Sequence, residues 1–313
     1  MAEGIKGQTA AAPAGDTRPL RRSRLSARGT SGRTILYLVL GLIVIFNDLP
    51  LAWMVNTSIK PDSEIITWPP TFLPSHPTFQ HYIDLFVANY SAASAVSTGG
   101  FGHYLLSSTI VTSVSTVVVV VLGTFGAYAL VRFRFPFVSW IGEASLFAYM
   151  VPSILLLVPL VEIMYQLHLD NNLLSLILIY STLLLPFALW TLRSYFQGIS
   201  VELEQAAMVD GCTRFGAFIR VVLPQAVPGI IAAAIFTFNA AWGEYLFAST
   251  LITDPNITTL SPGLLQLMPS AGVQQWGTLM AASVVMTVPL LVLFIIFQQQ
   301  LIGAWSGEGA VKG

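Results

Sequence analysis

The chain has 313 residues, of which 55% are hydrophobic and 9% charged, with a formal net charge of −1. An ordinary soluble domain carries about 45–50% apolar and about 25% charged residues, so a water-soluble core is excluded. The apolar residues fall in long blocks, and about 20 of them in a row are what a helix needs to cross a hydrocarbon layer roughly 30 Å thick; the bilayer is the solvent.

Residues 1–33 are rich in Ala, Gly, Ser, Thr and Arg with almost no large apolar side chain, which predicts a disordered basic tail whose arginines can rest on anionic lipid headgroups. Six apolar blocks follow, at about 34–55, 104–131, 141–166, 173–195, 229–252 and 277–297. They are continuous rather than alternating, so they read as helices and not as barrel strands. The first block is longer than the apolar core of a signal peptide, about 7–15 residues, and no small-residue cleavage pattern follows it, so an uncleaved anchor is expected.

Between the first two blocks, Pro61, Pro69, Pro70, Pro74 and Pro77 forbid long helices until about Thr78, after which FQHYIDLF can form a short amphipathic turn. This segment either meets a soluble partner outside the membrane or simply connects two spans. Pro152, Pro159, Pro186 and Pro289 fall inside later blocks and predict kinks there.

Of the 14 Lys and Arg residues, a cytoplasmic N-terminus and six crossings place all but Lys60 on the cytoplasmic side. The positive-inside rule therefore predicts both termini in the cytoplasm. The single cysteine, Cys212, allows no disulfide, and nothing suggests a metal site.

The loop between the fourth and fifth blocks breaks into two short helices. The first, over 201–210, has Glu202 and Glu204 in its opening turn, where acids favour the positive helix end, and Gly211 just after it suits a C-terminal cap. The second starts at Thr213, a plausible N-cap, and spaces Phe215, Phe218, Ile219 and Val222 at helical intervals before Pro224 and Pro228 close it and launch the fifth span. Ala206 and Ala207 permit close approach, so this elbow is shaped to be gripped. A helix lying passively on lipid would be rich in Lys and Arg, whereas 201–210 carries only acids.

The run ELEQAAMVDG followed by F-x-x-x-x-L-P-x-x-x-P, Phe218 to Pro228, resembles the EAA loop of binding-protein-dependent ABC importer permeases. The likeness extends over about 35–313 and is closest to the maltose-type sugar-importer permeases, in the six-span subunit of the heterodimeric pair. SIKP at Ser58, AYALVRFRFP at Ala127, MVPSILLLVPL at Met150, AWGEYLFA at Ala241 and the terminal GAVKG support it in the right order.

The resemblance implies an all-α polytopic protein with six transmembrane helices in the type I ABC importer permease architecture, in a bacterial or archaeal plasma membrane. It divides the chain into the tail 1–33, a permease domain 34–303 with the coupling loop at 199–228, and a cytoplasmic tail 304–313. It further implies that Glu202, Glu204, Gln205, Ala206, Ala207, Asp210, Gly211, Phe215 and, in the terminal tail, Lys312 meet a cytoplasmic ATPase present in two copies. The other implied partners are a second permease subunit, an external solute-binding protein and membrane lipid, with no nucleic acid. Where the family usually has the Glu of EAA, this chain has Gln205, so a charged contact becomes a neutral hydrogen bond, typically weaker.

Lys6, Lys60 and Lys312 are the only lysines, and none completes the G-x-x-x-x-G-K-[ST] phosphate cradle. The chain is therefore not expected to be an enzyme or to hold a cofactor; ATP and Mg are expected in the partner ATPase. Among acids at membrane depth, Glu162 lies near the outer end of its block and Glu143 near the inner end of the same block. Asp48 adjoins Pro50 and is placed to satisfy backbone groups that the proline frees. Asn239, Trp242, Glu244 and Tyr245 combine aromatic rings with hydrogen-bonding groups, the chemistry that suits a carbohydrate path, with a di- or oligosaccharide the default cargo; helix packing against the sister permease is the alternative. A secondary active transporter of a polar solute would need an inverted repeat and coupling carboxylates near mid-bilayer, and neither is evident. An intramembrane enzyme is disfavoured because His76, His81, His103 and His168 all lie outside or at the outer edge.

Overall fold

The computed structural model describes residues 30–87, 100–134, 136–267 and 276–305, and among these residues the only regular structure is helical. Most of the expected N-terminal tail lies outside the described residues, as does the part 306–313, with Lys312, of the expected C-terminal tail 304–313, while 304–305 continue the last helix. The chain divides between Leu51 and Ala52 into two compact units, each described by itself.

The first unit holds most of α1 (Thr30–Ser58). Its apolar stretch Gly32–Ser58 has a mean hydropathy of 2.2 and, at 1.5 Å per residue, is about 40 Å long, enough to cross a bilayer. The Asn47 amide turns back on its own helix and donates to the Ile43 carbonyl at 2.8 Å.

In the second unit, α2 (Asp62–Ile65) and α3 (Gln80–Val87) precede α4 (Phe101–Arg132), α5 (Val138–Met150), a 3-10 turn (Ser153–Leu156), α6 (Leu157–Gln166) and α7 (Leu173–Gly198). Then come α8 (Val201–Val209), α9 (Arg214–Ala217), a π-helical turn (Phe218–Val222), α10 (Leu223–Trp242), α11 (Leu246–Leu251), α12 (Leu260–Gln266) and α13 (Trp276–Trp305). The short amphipathic turn expected after Thr78 extends to the eight-residue helix α3, with His81 and Leu85 buried.

The bundle is built around α4, which packs along α7 and against α10, while α13 lies on α10 and α3. The face of α4 turned inward carries Ser107, Ser108, Val111, Thr112, Ser115, Val119, Gly123 and Ala127, repeating every three or four residues. Small side chains let helices approach in a membrane, where packing rather than water exclusion drives association. Gly123 makes this concrete, since a Cβ there would stand 3.3 Å from Leu192 and 3.4 Å from Ala188 of α7. The run Val117 to Val121 would be a weak helix former in water, but in lipid the helix is the conformation that satisfies its own backbone.

The kink expected at Pro152 is present and sharp: α5 and the segment after the proline are bent by 93°, so the third block is interrupted. Val151, at φ −68° and ψ 122°, is extended because Pro152 disfavours the helical region for the residue before it, and the proline also supplies no N–H. The fifth block ends early as well, for the helix stops at Trp242 and resumes as α11. At its other end Pro224 and Pro228 do not close the loop helix; a continuous apolar helix runs Arg214–Trp242. The π turn makes this possible. The Leu223 N–H reaches back five residues to the Phe218 carbonyl, and the wider turn carries the chain past the donor that Pro224 lacks.

Candidate functional site

The elbow at 199–228 begins with the helix caps. Ser200 is the N-cap of α8, its hydroxyl accepting from the Glu202 N–H at 3.2 Å. At the other end the Gly211 N–H donates to Met208 O at 3.1 Å and the Cys212 N–H to Ala207 O at 3.0 Å, the paired bonds of a Schellman cap. That cap needs a left-handed residue, and Gly211 supplies it with φ +92°. Thr213 then caps α9, its hydroxyl accepting from the Gly216 N–H at 3.1 Å.

Between these caps α8 has two faces. Glu202, Gln205, Ala206 and Asp210 are exposed, as are Leu203 at 47% and Val209 at 87%, and Phe215 on α9 at 64%. The Glu202 carboxyl is held below its ordinary range by the hydroxyl of Ser200. Ala207 is half-buried. Of the four apolar residues expected along one stripe, Phe218 and Val222 are buried in the bundle, while Phe215 and Ile219 face outward.

Glu204 is the correction. It is 3% exposed, and its carboxylate accepts from the Tyr128 hydroxyl at 2.5 Å and from Arg132 Nε at 2.9 Å. Arg132 Nη2 also donates to the Ile199 carbonyl at 2.8 Å. The Tyr128 ring packs on Phe218 with centroids 4.4 Å apart and on Phe196 at 6.0 Å. This acid is thus committed inside the chain, leaving Glu202 and Asp210 as the outward acids of the elbow beside Gln205. Sequence reading did not single out Tyr128 or Arg132, although both stand in the AYALVRFRFP run.

The second region is a cavity of about 540 Å³ where the two helix breaks converge. Residues 148–153 at the bend after α5, Tyr180 and Thr182 of α7, and Ala241, Glu244 and Phe247 at the α10–α11 break line it. Irregular backbone at membrane depth persists where it lines a cavity or is buried in protein. Glu244 Oε1 accepts from the Phe247 N–H at 2.9 Å, and Oε2 from the Ala248 N–H at 3.1 Å and the Tyr180 hydroxyl at 2.6 Å. The acid therefore caps α11 and edges the cavity together.

The other expected path residues separate. Trp242 is 2% exposed, stacks on Phe238, and donates its indole N–H to the Met286 carbonyl at 3.0 Å; it belongs to the packing of α10 on α13, away from the cavity. Asn239 and Tyr245 are exposed but do not line it. Tyr180, which does, carried no sequence signal, because a tyrosine in an apolar run looks the same whether it faces lipid, core or cavity. Among the described residues no group of three or more His, Cys, Asp or Glu could hold a metal ion.

Residues 119–305 match the family described as binding-protein-dependent transport system inner membrane component. The chain belongs to that family. The permease is 34% identical to the sulfoquinovosyl glycerol transport system permease protein SmoH of Agrobacterium fabrum, over 90% of this chain and 95% of SmoH. It is 33% identical to the trehalose transport system permease protein SugB of Mycobacterium tuberculosis, over 87% and 95%. The fold matches a chain of a bacterial ABC transporter involved in the import of the acidic polysaccharide alginate, with a TM-score of 0.72 and 18% identity, over 87% of the permease and 98% of that chain. It is an all-α, multi-pass membrane component of a transport system, with five candidate spans among the described residues and a sixth if the bent pair is counted as one.

Proposed function

We propose that this permease is one of two membrane subunits of an ATP-driven, binding-protein-dependent importer of a di- or oligosaccharide. A partner ATPase, in two copies, would bind ATP and Mg and grip α8; a soluble binding protein would deliver the sugar on the opposite face. The distribution of Lys and Arg supports a cytoplasmic placement of both termini and of the elbow.

The observation that carries the reading is the outer face of α8. A nine-residue helix capped at both ends presents Leu203, Val209 and the neighbouring Phe215 to the outside among Glu202, Gln205 and Asp210. Clustered exposed apolar side chains rimmed by polar groups mark a protein interface. The elbow lies at the start of α10 and the cavity at its end; twenty helical residues span about 30 Å. A push on the elbow would therefore act through a rigid rod on the walls of the cavity. Glu244 and Tyr180 would offer hydrogen-bonding groups to sugar hydroxyls there. The names of the curated relatives, one for a sulfoquinovosyl glycerol system and one for trehalose, support a carbohydrate cargo.

The test is reconstitution of the permease in liposomes with an ATPase, a second permease subunit and a soluble binding protein from the same source. Uptake that needs all four proteins and external-face binding protein is expected, with the ATPase co-purifying on the permease. Sugar uptake by the permease alone, driven by an ion gradient without ATP, would refute the reading.

A further inference from the structure

Two swivels flank α8. Before it, Ile199 is extended at φ −90° and ψ 123°, with Ser200 following at φ −59° and ψ 135°; after it, Gly211 sits at φ +92°. A short helix between two such joints is a separate lever unless a side chain fixes it to the bundle. The Arg132 guanidinium does this twice, bonding the Glu204 carboxylate in the opening turn of α8 and the Ile199 carbonyl ahead of its cap. Tyr128, one turn back along α4, supplies the other donor to Glu204.

A buried ion pair is a weak source of stability, since apolar side chains of the same size often do as well; its better-attested use is to hold one register. Arg132 and Glu204 have side chains 5% and 4% exposed, and they join α8 to the last turn of α4, the helix around which the bundle is packed. At its far end, α4 is tied again: the Ser108 hydroxyl accepts from the Leu260 N–H of α12 at 2.7 Å, and Gly263 of α12 lies so close to the Tyr104 ring that a Cβ there would meet it at 2.4 Å. Thirty-two residues make α4 about 48 Å long.

We propose that Tyr128, Arg132 and Glu204 form a positioning strut that makes α8 and α4 move as one body, so that displacement of α8 reaches α12 at the opposite end of α4 directly. This rests on the reading that α8 docks on the partner ATPase. Without the strut, motion of α8 would be absorbed at Ile199, Ser200 and Gly211. The ATPase would still be gripped through the exposed face, which the strut residues do not form, but its cycle would no longer be converted into transport.

The experiment uses the whole reconstituted complex and reads two quantities: sugar taken up per ATP hydrolysed, and ATPase retained per permease. Arg132→Met and Glu204→Gln should lower the first by about tenfold, within the range of ordinary coupling energies, and leave the second at the wild-type value. Tyr128→Phe keeps the ring that packs on Phe218 and should lower the uptake ratio less, in the same direction, so it reports even where the larger changes prevent folding. The exchange Arg132→Glu with Glu204→Arg should recover part of the ratio. An unchanged ratio in Glu204→Gln and Tyr128→Phe overturns the proposal, as does loss of uptake that merely follows loss of bound ATPase. If wild-type permease retains no ATPase, the docking reading fails first and the strut fails with it.

Discussion

Gly211→Ala tests the elbow at the point where backbone geometry leaves least choice. No atom lies within 4 Å of the position a Cβ would occupy, so the substitution adds no clash and the effect comes from φ +92° alone. The chain has two responses. It can keep the left-handed conformation with an alanine, at about 1–2 kcal/mol, or abandon it and lose the Gly211 to Met208 and Cys212 to Ala207 bonds, each contributing about 1 kcal/mol. Both routes give about 1–2 kcal/mol, a factor of about 5–30 in the local opening equilibrium. Hydrogen exchange of the peptide covering 199–212 in detergent or nanodiscs measures this directly: amides of α8 should exchange about 5–30 times faster while those of α4 and α7 hold. Asparagine tolerates left-handed φ, so Gly211→Asn should be milder, whereas Gly211→Pro, locked near −65° and without an N–H, should abolish transport with insertion intact. Equal exchange in wild type and Gly211→Ala, or Asn worse than Ala, would refute the reasoning.

Gly229→Val should destabilise the α7–α10 contact by about 1–3 kcal/mol, because overpacked cores respond on that scale and a Cβ at 229 would lie 2.3 Å from the Tyr195 ring; thermal unfolding reads it, and adding Tyr195→Ala should restore part of the loss. Glu244→Ala removes the acceptor for the Phe247 and Ala248 N–H groups and the Tyr180 hydroxyl, at about 1–3 kcal/mol for each donor left unpaired. Faster exchange across α11 should accompany any transport defect, and a transport defect with α11 unchanged would make the acid a path residue only. Gln205→Glu, on the exposed face, should tighten ATPase binding about two- to fivefold if a basic residue faces it, the scale of an exposed ion pair. Titration of ATPase onto permease in nanodiscs decides this, and weaker binding would place an acid or an apolar group opposite. Ala207→Arg should block docking without preventing insertion, read by loss of ATPase co-purification.

Much of the elbow was legible in the sequence because its devices are local. Gly211 and Thr213 act on atoms within five residues of themselves, and residue chemistry alone says which conformation each can hold; the Ser200 cap, equally local, was not singled out. The breaks were less legible. Pro152 pointed to a kink, but whether a span bends slightly or by 93° depends on whether neighbouring helices offer a cavity that tolerates open backbone. Pro224 looked like a stop, and the π turn that carries the helix past it is supported by the burial of Phe218 and Val222 against α4 and α7.

The sequence by itself determined that this is an all-helical membrane protein with a capped two-helix elbow opening on acids, because long apolar runs and capping residues carry those meanings wherever they occur. Only the tertiary structure decided what each polar side chain does. Glu202 and Glu204 sit two positions apart in one opening turn, indistinguishable by composition, yet about 200° of helical rotation separates them. One faces outward, the other reaches Arg132 and Tyr128 seventy-two and seventy-six residues away. The same holds for Trp242 and Glu244, near neighbours that part into core and cavity because the helix ends between them.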